Sequence, residues 1–180
     1  MKRIFVLLGL FVMASAFSNE TYIPADEGSS VKCKIKNLGL TSEVSFKGLK
    51  GTIDFDPVIP TSAKFDVTLD AQTLNTGIGA RDNHLRKEEY FNVEKYANIR
   101  IVGTRVTAAT GENAFNMFCN LTIKNVTKSI AFPFTASPQN NGYLFKGEFK
   151  LNRRDYGVGG NSMTLSDNLT VSLSVFAKKL

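Results

Sequence analysis

Apolar and polar residues take turns along most of this chain. Ala63, Phe65, Val67 and Leu69 alternate with Lys64, Asp66, Thr68 and Asp70. Phe115, Met117, Cys119, Leu121 and Ile123 do the same with mostly polar neighbours. Ile130, Phe132, Phe134 and Ala136 repeat the pattern, followed by Tyr143, Phe145, Phe149 and Leu151, and then by Leu169, Val171, Leu173, Val175 and Ala177. Val31, Cys33 and Ile35 alternate with Lys32, Lys34 and Lys36, and Val44 with Phe46 forms a shorter run. A period of two places one face of a strand in a core and the other in water, as in a half-buried antiparallel sheet. Turn residues such as Asp56-Pro57, Thr110-Gly111 and Asn140-Asn141-Gly142 separate the runs. Between Gly48 and Gly51 the apolar parity flips, from Phe46 to Ile53 and Phe55, which predicts a bulge or a tight corner.

About eight strands with one apolar face each have to hide that face. The one helical stretch, GARDNHLRKEEYF at residues 79–91, is too short to cover a sheet. The sheet must therefore fold onto a second sheet or close on itself, and closure also removes edge strands. The expected fold is all-β, an antiparallel barrel of about eight strands with one short helical loop near residues 81–89. Its predicted inner face holds Val44, Phe46, Phe65, Val67, Leu69, Phe115, Met117, Leu121, Phe132, Phe134, Phe145, Phe149, Leu173 and Val175. No charge stands among them. Such a lining suits a hydrocarbon chain and cannot perform acid–base chemistry. A small barrel either holds one ligand or is filled by its own side chains, and alternation alone leaves both open.

The N-terminus reads as an address. Lys2 and Arg3 precede an apolar run from Ile4 to Ala14, which ends in the small-x-small pattern Ala14-Ser15-Ala16. This predicts a cleaved secretory signal over residues 1–16 and a single domain over residues 17–180. The run is shorter than the roughly 20 residues of a spanning helix, so no membrane span is expected. The formal charge of +6 falls by two with Lys2 and Arg3. The remaining excess is spread along the chain without interleaved aromatics, which argues against nucleic acid.

Catalytic chemistry finds little footing. His84 is the single histidine, Cys33 and Cys119 lack the spacing of zinc ligands, and no Gly-x-Ser-x-Gly elbow is present. No catalytic residue, metal or cofactor is expected. An oxidising compartment favours a disulfide between the two cysteines. Their places in the first and about the sixth strand argue against it, because these strands should face each other across a lumen wider than a disulfide spans. Two buried, unpaired thiols are the expectation.

Four stretches, SFKGLKGTIDFDP (45–57), RDNHLRKEEYFNVEKYANI (81–99), NLTIKNVTKSIAFPF (120–134) and FKLNRRDYGVG (149–159), resemble the YceI-like family of secreted bacterial proteins. The resemblance implies an extended lipocalin-like barrel whose lumen binds a polyisoprenoid or another long amphiphilic lipid, for transport or storage, in the periplasm or outside the cell. Family members often carry histidines where this chain has Gly28-Ser29-Ser30 and Asn37-Leu38-Gly39, so no head-group role passes to those positions. With Asp82 as N-cap and Thr76-Gly77-Ile78-Gly79 as hinge, the helical segment reads as a lid whose Arg81 and His84 meet a polar head group. It reads equally as a plug pinned by Leu85 and Phe91, with His84 bonded to a backbone carbonyl. Arg153 and Arg154 offer a head-group site or an ion pair with Asp155 or Asp82. The alternative function is a ligand-free structural or interaction protein of the cell envelope. The oligomeric state, a homodimer included, stays open.

Overall fold

Each alternating run is a strand, and the strands follow one another around a closed barrel. The computed structural model describes residues 20–180; the expected signal at residues 1–16 lies outside them. The order is β1 (Glu20–Asn37), β2 (Leu40–Phe55), β3 (Lys64–Asn75), α1 (Gly79–Leu85), β4 (Asn98–Ala108), β5 (Ala114–Ile123), β6 (Val126–Pro138), β7 (Gly142–Asn152) and β8 (Leu165–Lys179). Every strand is antiparallel to the next, and β1 closes the ring against β8, with Val31 opposite both Phe46 and Leu173.

The parity flip in β2 is a bulge. Gly48 and Gly51 take positive φ, 78° and 120°, and the register against β3 shifts between Lys47 and Lys50. A side chain at Gly51 would place its Cβ 2.0 Å from the Asp66 carbonyl oxygen, so only glycine fits there. The bulge turns Phe46 and Ile53 to the same side, and both are buried. A comparable shift in β1 between Ala25 and Ser30 brings Tyr22 and Val31 inward together.

Sequential topology gives the barrel two ends with different equipment. Four connections lie at one end: the β1–β2 turn, the long β3–β4 segment with α1, the β5–β6 turn, and the β7–β8 segment with a 3₁₀ turn at Arg153–Tyr156. The other end holds the β2–β3, β4–β5 and β6–β7 connections and the far ends of β1 and β8. There Phe55 is 1 % exposed and sets its ring edge-on to Phe115, Tyr143 and Phe145, with centroids 5.3–5.4 Å apart. Phe65 and Phe134 complete this aromatic floor. Edge-to-face contact suits the quadrupoles of these rings and joins them in one cluster.

Candidate functional site

Above the aromatic floor the strands carry mainly aliphatic side chains, and these leave an unfilled space. A cavity of about 250 Å³ lies under α1. Its wall is built from Cys33 and Ile35 on β1, Val44 and Phe46 on β2, Leu69 on β3, Ile99 and Ile101 on β4, Leu121 on β5, Phe149 on β7 and Leu169 and Leu173 on β8. A second cavity of about 100 Å³ lies nearer the floor, against Phe65, Val67, Met117, Phe132, Phe134, Phe145 and Val175. Val31, Leu69, Ile99, Ile101 and Leu173 border both, so the chambers meet at a waist.

Every residue of the predicted inner face except Phe115 lines one or both chambers. Phe115 borders neither chamber and instead packs into the floor against Phe55 and Phe134. Ile99 and Ile101 escaped the sequence reading. The β4 register shifts between Gly103 and Arg105, which breaks the alternation that would have revealed the strand.

Among the described residues, polar side chains line the upper chamber only at the α1 end: Asn37, Ser42, Thr76, Arg81, His84 and Arg153, with Tyr90 and Tyr156. Two of these groups hold buried atoms without a partner, the Asn37 Oδ1 acceptor and the Arg81 Nε donor. A buried polar atom left unsatisfied is costly, on the order of 1–3 kcal/mol. Both side chains border the chamber at its α1 end. His84 is exposed and meets the Tyr90 ring, with centroids 4.9 Å apart.

The cap over the chamber is tied down in detail. Asp82 is 8 % exposed and is not the N-cap; Ile78 holds that position without a side-chain cap. The Asp82 carboxylate instead accepts from the Thr76 backbone N–H at 2.8 Å and from its hydroxyl, which clamps the segment expected to be a hinge. These hydrogen bonds hold the carboxyl below the usual aspartate range, with Arg86 and Arg81 adding to the shift. Arg81 Nη2 donates to Thr76 O at 3.0 Å, and Arg86 donates to Gln72 O and Leu74 O. Leu85 and Phe91 pack on Phe46, Leu74 and Val93, as expected of a pinned segment.

Arg153 is 2 % exposed and contradicts the expectation of an uncharged interior. Its Nε donates to Ser166 O, Nη1 to Val158 O and Gly160 O, and Nη2 to Leu165 O and Asp167 Oδ1. All five N–H groups are engaged, so none remains for a head group. The ion-pair partner is Asp167, at 2.8 Å, and neither Asp155 nor Asp82. Arg154 lies outside the cavity, 3.5 Å from Asp167 Oδ2, while Asp155 pairs with Lys128. Gly159 N–H donates to Glu89 O, which joins the two halves of the cap.

Both cysteines are free thiols. Cys33 lines the upper chamber; Cys119 is on β5, one strand earlier than expected, and is buried. Burial pushes each thiol up to about 12. Among the described residues no group of three or more His, Cys, Asp or Glu is placed to hold a metal, and no helix is long and apolar enough to cross a membrane.

A curated relative, a UPF0312 protein of Pseudomonas savastanoi pv. phaseolicola, is 32% identical over 162 residues, 85% of this chain and 83% of the relative. Among solved structures, Burkholderia cenocepacia BcnA superposes with a TM-score of 0.80 at 20% identity, over 86% of this chain and 99% of its own. A polyisoprenoid binding domain from Saccharophagus degradans, implicated in plant cell wall breakdown, matches with a TM-score of 0.72 at 15% identity, over 90% of this chain and 99% of its own. At these identities the two structures establish the shared barrel fold. The YceI-like domain family itself matches residues 22–177, nearly the whole described barrel, and the chain belongs to that family.

Proposed function

We propose that this protein binds the chain of a polyisoprenoid or similar amphiphile in the upper chamber and carries or stores it in the bacterial envelope or outside the cell. One observation carries the reading. An apolar cavity carries its polar side chains, Arg81 and Asn37 among them, on one side only among the described residues. Such a space accepts a hydrocarbon tail and orients its polar end toward the cap. The polyisoprenoid binding domain with the same fold supports the ligand class. The basic, apolar start of the chain and the bacterial relatives support the location.

The size of the space sets a condition. A void of about 150 Å³ takes a benzene-sized ligand, and drug-sized pockets run to roughly 300–1,000 Å³. The upper chamber, at about 250 Å³, lies between these. It houses a short isoprenoid section, and a longer chain has to part the waist at Val31, Leu69 and Leu173 to reach the lower chamber. Catalysis has no part in this reading.

Organic extraction of the purified protein followed by mass spectrometry tests it. A stoichiometric long-chain lipid is expected, and its loss in Leu121→Asp, which places a charge in the chamber wall, is expected with it. An extract without lipid favours a ligand-free envelope protein. Undiminished lipid in the variant contradicts the assigned chamber.

A further inference from the structure

Three of the four connections at the α1 end hold an apolar side chain out into solvent. Leu38 and Leu40 flank Gly39 in the β1–β2 turn and are each 74 % exposed. Ile78, just before α1, is more than half exposed, and Met163, in the β7–β8 segment, is fully exposed. Leu38 N–H donates to Thr164 O at 2.9 Å, so the turn and the β7–β8 segment form one rim. Residues 37–42, 75–80 and 157–165 contain no Asp, Glu, Lys or Arg. Directly behind the first tip stand the exposed Lys34 and Lys36.

The rim also borders the chamber. Asn37, Ser42, Thr76, Arg81 and Leu165, neighbours of the exposed tips, line its edge. The opposite end is built differently. Its exposed apolar residues, Val58 and Leu180, sit beside ionised neighbours, Asp54 and Asp56 for the first, Lys178 and Lys179 for the second. Single exposed apolar residues are ordinary on a protein surface. Four of them on three loop tips that themselves lack charged residues, around a cavity edge, are a different arrangement.

We propose that this rim docks the protein on an anionic lipid bilayer. Leu38, Leu40, Ile78 and Met163 enter the boundary between head groups and acyl chains, where loops without charges have no ions to desolvate. Lys34 and Lys36 meet lipid phosphates, each strengthening attachment about fivefold near an anionic surface. Docked in this way, the chamber edge faces the membrane, and an amphiphile passes between bilayer and barrel without its tail crossing water. The inference rests on the lipid-carrying role given above.

The absence of tryptophan from the chain makes the test clean. Leu40→Trp places a single reporter on the rim, and Val58→Trp a control at the other end. With vesicles of phosphatidylethanolamine and phosphatidylglycerol, the Leu40→Trp emission is expected to shift blue and to be quenched by brominated acyl chains, while Val58→Trp keeps its value in buffer. Combined Leu38→Asp, Leu40→Asp and Met163→Asp is expected to weaken vesicle sedimentation by at least about tenfold, with circular dichroism unchanged. An unshifted Leu40→Trp, or an equal shift in both reporters, overturns the proposal. So does a blue shift without vesicles that grows with protein concentration as the sedimenting mass doubles, because the rim then joins two copies of the chain. Organic extracts of the same preparations separate the two claims: bound lipid without docking overturns the rim alone, and an empty extract overturns the carrier role.

Discussion

The two ends of this barrel are built from the same alternation and use it in opposite ways. At the floor, Phe55, Phe65, Phe115, Phe134 and Phe145 meet edge to face in one cluster, with only the smaller chamber beside them. Under α1, Cys33, Ile35, Val44, Ile99, Leu121 and Leu169 occupy equivalent inward positions, and a cavity remains. Hydrophobicity decides which residues turn inward. The size and shape of those residues decide whether the interior is solid, because an eight-stranded barrel is just wide enough for large side chains to fill. Polarity adds direction, since the unpartnered Asn37 and Arg81 atoms stand only at the aliphatic end.

The largest expected effect comes from the floor. Phe55→Ala should lower stability by about 3–5 kcal/mol, because a ring with several aromatic contacts leaves a hole that the barrel cannot collapse. Leu169→Ala, beside an existing cavity, should cost nearer 2 kcal/mol. Urea unfolding compares them, and equal losses would erase the distinction between a packed end and an open one.

Arg81 sharpens the comparison from the other side. Arg81→Leu should weaken binding of farnesyl phosphate by about 1.5–3 kcal/mol, the usual scale of a charged hydrogen bond, and leave the parent hydrocarbon almost unaffected. Titration calorimetry with both ligands measures the difference. Equal weakening of the two would place the head group away from Arg81.

The smallest effect is a pH dependence of the cap. Hydrogen bonds from Thr76 hold the Asp82 carboxyl below its ordinary range. A carboxyl with a depressed folded-state pKa stabilises fully above its unfolded value, near ~3.9, and loses that contribution as pH falls through the lower folded value. Amide protection in α1 should therefore be level across neutral pH and fall only in acid. Asp82→Asn should abolish the acid step. Loss of protection beginning near neutrality would mean that another group holds the cap.

Much of this barrel was legible in the sequence, for reasons that individual residues make plain. β5 alternates without interruption from Phe115 to Ile123, and its burial follows that alternation residue by residue. β4 was missed because its inward positions change parity around Gly103, where Ile99 and Ile101 give way to Val106. The buried Arg153 was hidden for another reason. Four of its five hydrogen bonds go to backbone carbonyls, and a backbone acceptor leaves no mark on the pattern of side chains. Asn37 was set aside for want of a family histidine, although its amide oxygen now stands unpartnered at the chamber edge. The cavity itself was beyond any pattern of polarity, since it depends on how side-chain volumes add up across strands distant in sequence.

The most direct test of the division between the ends is a methyl-resolved NMR titration with farnesol. Shifts and intermolecular contacts are expected at Ile35, Ile99, Ile101, Leu121 and Leu169, which line the upper chamber, while Val106 and Ala177, buried in the aromatic half and bordering neither chamber, stay unmoved. Perturbations centred on Val106 and Ala177, or confined to exposed methyls on the outer face of the barrel, would contradict the assignment of the ligand to the aliphatic end.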